Sequence, residues 1–140
     1  MMKLKPQITI ATIIVFFAVL LPILFIPTSN EDLLGFETVS KSDQSGHKNQ
    51  AFYVINSDDE FLNLWNITHS MRFSPPEPPS IDFTITTVIA VYDGYHGVGA
   101  SLEITKIQRQ NNKTLVYYKV ERYVTGVISY PYHIVKTQKL

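Results

Sequence analysis

The chain has 140 residues, a hydrophobic fraction of 45% and a formal net charge of zero. That length accommodates one domain of ordinary size plus an appendage, and the composition is globular rather than disordered. The absence of cysteine excludes disulfide staples, thiol nucleophiles and cysteine metal sites and leaves the redox compartment open, while bases scattered singly along the chain speak against nucleic-acid binding.

Ile8 to Ile26 (ITIATIIVFFAVLLPILFI) carries no charge. A helix of about 19 residues spans about 29 Å, close to the hydrocarbon thickness of roughly 30 Å, and a membrane helix tolerates Pro22. The following Pro27-Thr28-Ser29-Asn30 lacks the small-residue pattern of a cleavage site, and no cysteine is present for lipidation. Residues 1–29 are therefore expected to form an uncleaved membrane anchor, a single-pass signal-anchor helix over 8–26. A cleaved signal releasing a secreted protein is the alternative. Lys3 and Lys5 precede the segment, and Glu31 and Asp32 follow it. This asymmetry places the amino terminus in the cytoplasm and residues 30–140 outside it, at the cell membrane. Residues 30–50, rich in Ser, Asn, Gln and Lys, read as a flexible stalk.

The working domain is expected over 51–140. Ala51 to Ile55 is an aromatic and β-branched run, hence a strand. Ser57-Asp58-Asp59-Glu60 then has the form of a capping box, and Phe61, Leu64, Trp65 and Thr68 fall on one helical face. Four of the ten residues Ser74 to Phe83 (SPPEPPSIDF) are proline. Pro78, Pro79, Asp82 and Phe83 are read as a stiff internal crossover rather than a linker, because the helix and the strand after it must cover one another. Thr84 to Tyr92 is apolar on both faces, which marks a central strand. Gly99 to Ile107 and Leu115 to Val124 alternate, with Asn111-Asn112 as the turn between them, and Tyr130 to Lys136 forms a last strand begun by Pro131. The expected fold class is α+β: after the transmembrane helix, a small, mostly antiparallel β-α-β-β-β-β sheet with one packed helix.

The Ser57-Asp58-Asp59-Glu60-Phe61…Leu64-Trp65 helix, the prolines leading into Ile81-Asp82-Phe83, and the closing Tyr130-Pro131-Tyr132-His133-Ile134-Val135-Lys136 together resemble the PrcB C-terminal domain family. The resemblance covers roughly residues 50–138. It implies an accessory, non-catalytic subunit of a cell-surface protease complex and supplies no catalytic residues. One departure stands out: the family's Thr-Gly-Gly-Tyr-like element aligns here with Gly97-Val98-Gly99-Ala100.

Candidate chemistry is sparse. Gly94, Gly97 and Gly99 join two strands with no helix after them, so they read as a hairpin loop with positive φ angles rather than a phosphate loop. Ser101 lacks the second glycine of a nucleophile elbow. His47, His69, His96 and His133 form no paired metal-ligand spacing, and no metal or other cofactor is expected. Asp82 lies between two apolar residues; with His96 or His133 it would make a small hydrolase, and otherwise it accepts buried N–H groups. Tyr95, His96, Gly97, Gly99, Tyr117, Tyr123 and Tyr130 are the candidate partner-binding residues, since tyrosine is enriched at interfaces. Asn66 and Asn112 head glycosylation sequons. The function expected is a membrane-anchored, extracytoplasmic, non-enzymatic domain that binds a protein partner, an accessory to a surface protease. A small hydrolase and a purely structural envelope protein are the alternatives.

Overall fold

The computed structural model describes residues 31–140. Along the chain run β1 (Glu31–Leu34), β2 (Phe36–Ser42), β3 (Gln50–Ile55), α1 (Asp58–His69), β4 (Thr86–Asp93), β5 (Gly99–Gln110), β6 (Lys113–Tyr123) and β7 (Tyr132–Gln138). They build two antiparallel sheets, one in the order β2-β7-β4-β3 and one in the order β1-β5-β6.

The alternation of β4 explains the layering. Val88, Ala90 and Tyr92 pack with Phe61, Leu64 and Trp65 of α1, while Ile89 and Val91 pack with Leu102, Ile104 and Ile107 of β5. A strand covered on both faces loses the polar half of its pattern, hence the continuous run Val88 to Tyr92. β4 and β7 are the two inner strands of their sheet. The architecture is thus three layers: α1, the four-stranded sheet and the three-stranded sheet.

α1 begins at Ser57, whose Oγ accepts the Glu60 N–H at 3.5 Å. Glu60 Oε2 reaches back past Ser57 to accept the Asn56 N–H at 3.4 Å, and three acids fill the first turn where the helix dipole favours them. At the other end Gly46 donates its N–H to Thr68 O at 2.9 Å; a side chain there would collide with the Ile67 carbonyl. The proline crossover is fastened to the helix. Trp65 Nε1 donates to Pro76 O at 2.8 Å, and Ile81 and Phe83 pack against the α1 cluster.

Three expectations are corrected. The single sheet is two sheets, and among the described residues the predominantly β sandwich carries one helix, on an outer face. The stalk read over 30–50 contributes two strands: β1 pairs with β5 and β2 with β7, with Gly35 between them where the chain passes from one sheet to the other. Leu34, Phe36 and Val39 pack on the core, but these few apolar residues among polar neighbours make no strand pattern, and the strands are held by distant partners. Third, the single-pass signal-anchor reading gains no helix: among the described residues none is long and apolar enough to cross a membrane, and the segment 8–26 lies outside those residues.

His133 ties the two sheets together. Projecting from β7, its Nδ1 accepts the Ile104 N–H of β5 at 2.8 Å. An imidazole nitrogen that accepts an amide proton carries none itself, so Nε2 bears the hydrogen and donates to Thr38 Oγ1 of β2 at 2.8 Å. Both contacts fall beside register shifts, between Ile104 and Lys106 and between Thr38 and Ser40, where the ladders are interrupted.

Candidate functional site

One end of the sandwich is made of three loops: residues 43–49, 94–98 and 124–131. Their main chains are bonded to one another. His96 and Ser129 exchange two hydrogen bonds, of 2.9 and 3.0 Å, Tyr130 N donates to Asp43 O at 2.8 Å, and Asp93 N donates to Pro131 O at 3.1 Å. Side chains add to this frame. Gln44 Nε2 donates to Ile128 O at 2.9 Å, and the buried Ser129 Oγ donates to Val98 O at 2.9 Å. His96 Nε2 donates to Asp93 Oδ2 at 2.7 Å, which fixes the start of the loop after β4.

On this frame stand exposed apolar side chains. Tyr95 is 60% exposed, Val124 97% and Val127 55%, with Ile128 and Tyr123 also open to solvent. The Tyr95 and Tyr130 rings meet edge-on at 5.9 Å. Tyr123 lies across Gly99, where a Cβ would collide with the edge of its ring, and its hydroxyl donates to Asp43 Oδ2 at 3.3 Å. Gly99 is therefore glycine for close approach. Of Gly94, Gly97 and Gly99 only Gly94 has a positive φ, of 75°, which corrects the expectation for the other two.

Six of the seven residues singled out by sequence thus share this end: Tyr95, His96, Gly97, Gly99, Tyr123 and Tyr130. The seventh, Tyr117, lies along β6, its ring 4.0 Å from Lys106 Nζ. Sequence reading passed over Val124, Val127 and Ile128. The only signal they gave was three aliphatic residues within a stretch broken by Gly126, which has φ of 65°.

The acid and the histidines of the hydrolase alternative are held apart in separate bonds. Asp82 Oδ1 accepts the Thr84 N–H at 2.9 Å and the Thr84 hydroxyl at 2.5 Å, an exposed turn that holds its carboxyl below the usual range. The expectation that Asp82 accepts buried N–H groups is corrected accordingly. His96 is paired to Asp93, and His133 is enclosed between the sheets, where burial first and Lys41 second push it down to about 4 against the opposing pull of Glu103. His69 is also lowered by burial. It donates Nδ1–H to Trp65 O at 2.9 Å and presents Nε2 to the Tyr132 hydroxyl at 3.3 Å, a contact internal to the core. Among the described residues no group of three His, Cys, Asp or Glu side chains is placed to hold a metal ion. Clefts of about 360 and 270 Å³ open beside Lys136 and between β3 and α1, and neither is lined by Asp82, His96 or His133. Asn66, on the outer face of α1, and Asn112, in the β5–β6 turn, are both exposed.

No family model matches the chain, and neither does any curated protein or solved structure.

Proposed function

We propose that this chain is a non-catalytic protein-binding domain whose partner docks on the loop end, on Tyr95, Tyr123, Val124, Val127, Ile128 and Tyr130. The observation that carries the reading is the combination of exposed apolar side chains with a cross-bonded loop frame. Exposed loops of a small domain ordinarily present polar tips, and contiguous apolar groups on a fixed frame characterise surfaces that bind other proteins. A preformed frame also lowers the ordering cost of association. The resemblance to the PrcB family extends the proposal to an accessory or docking subunit of a surface protease. The hydrolase alternative lacks the bonded constellation it requires, since Asp82 binds Thr84 rather than either histidine.

A photocrosslinking side chain at Val127 or Tyr95, introduced one at a time into the full chain in its source cells, is expected to give one discrete protein adduct. The same side chain at Thr105 or Tyr117 should not. Adducts equally abundant at all four positions, or absent from all, would sink the proposal.

A further inference from the structure

Among the described residues the far side of β3 has no neighbouring strand, because the order β2-β7-β4-β3 ends there. Which of its main-chain groups are open follows from one hydrogen bond. Asp93 donates its N–H to Pro131 O, on the β7 side of β4. Along an antiparallel strand the N–H and C=O of one residue point the same way, and the direction alternates from residue to residue. Asp93 thus turns its main chain away from β3, and its partner Gln50 turns away from β4; Phe52 and Val54 do likewise. Their side chains are 51% and 48% exposed, on the sheet face opposite α1.

Edge strands in folded proteins are guarded by charge, bulge or proline. The other three edges here follow that practice. β1 carries Glu31 and Asp32, β2 carries Glu37 and Lys41 with a register shift between Thr38 and Ser40, and β6 carries Lys113, Lys119, Glu121 and Arg122. β3 reads Gln-Ala-Phe-Tyr-Val-Ile, without a charge, a proline or a register shift. Its flanks are charged instead, and with opposite signs: Lys48 lies just before it and Asp58 just after. Among the described residues Asp58 makes no ion pair.

We propose that two copies of this chain join through β3, antiparallel about a two-fold axis at Tyr53. In that register Phe52 lies opposite the second copy's Val54, the open main-chain groups of both residues are satisfied, and the flank of each strand that carries Lys48 meets the flank of the other that carries Asp58. A two-fold interface is self-complementary, and this strand is so in its hydrogen bonds, its apolar pair and its flanking charges. The union makes one continuous sheet of the two four-stranded ones. Of the loop end the union engages only Lys48, whose ammonium lies 6.0 Å from the Tyr130 ring centroid, and the apolar side chains of the 94–98 and 124–131 loops stay outside the paired strands.

The chain has no cysteine, so a single introduced thiol reports on one position. Phe52→Cys and Val54→Cys, carried on full-length chains with different tags and produced together, are expected to oxidise to a mixed-tag dimer. Facing residues of a hydrogen-bonded pair have Cα atoms about 5.5 Å apart, within disulfide reach. Each variant alone should dimerise little, and Thr105→Cys not at all. Adding Lys48→Glu to both tagged chains should reduce the mixed dimer, and adding Asp58→Lys as well should restore it. The proposal is overturned by mixed-tag dimer no more abundant than the Thr105→Cys background, by same-tag dimers that match it, by thiol capture of a different protein in its place, or by failure of the charge exchange to restore pairing.

Discussion

Acid should loosen this domain through His133. The ring is 2% exposed, between a β5 amide that donates to Nδ1 and a β2 hydroxyl that accepts from Nε2. Protonation would place the ring's second hydrogen on Nδ1, against the Ile104 N–H, and no bond of the ring would compensate. Its folded value is about 4, below the ordinary imidazole value of 6.5. The sign follows: between these values the unfolded chain binds the proton and the folded chain does not, so stability rises with pH across that window. The contribution is complete above about pH 7 and lost as the pH falls towards 4, in total roughly 3 kcal/mol, with about 2 kcal/mol gone by pH 5. Against the 5–15 kcal/mol typical of a small domain, roughly, that is a large share. Urea unfolding at pH 7.5 and pH 5, followed through the fluorescence of the single tryptophan, Trp65, measures it. His133→Gln keeps an acceptor for Ile104 and removes the titration, so it should lose less on acidification than the parent chain by about that amount. His133→Ala orphans the buried amide and costs about 1–3 kcal/mol at neutral pH from that bond alone. Parallel losses in the parent chain and in His133→Gln between the two pH values would refute the reasoning.

Three further outcomes are expected. Trp65→Phe keeps an aromatic ring and loses the bond to Pro76, so it should lower stability by about 1 kcal/mol and speed proteolysis within 73–80, measured by urea midpoint and limited digestion. Asn112, at φ of 61° in the two-residue turn, should tolerate glycine, while Asn112→Val should cost about 1–2 kcal/mol because a β-branched residue resists the left-handed region. Asp82→Ala removes only the two bonds of an exposed turn, and its urea midpoint should stay close to that of the parent chain; a large drop would mean that the carboxylate supports more than Thr84.

Much of this protein was legible wherever the signal is local. The Ser57 cap, the face formed by Phe61, Leu64, Trp65 and Thr68, the two-faced burial of β4 and the turn at Asn111-Asn112 depend on neighbours a few residues away, which a single sequence displays. The proline stretch belongs here too, because prolines before a two-faced strand imply a crossover, and Trp65 holds it in place. Tertiary structure alone decided the rest. Strands β1 and β2 acquire their partners from β5 and β7, far along the chain, and nothing in Glu31 to Ser42 marks a polar strand as distinct from a stalk. His133 is an ordinary strand residue until the two sheets meet around it. The gathering of Tyr95, Tyr123 and Tyr130 with Val127 follows from bonds among three loops, and such bonds have no period to read. Hydrophobic patterning records which side of an element is covered; which element covers it is settled only when the layers close.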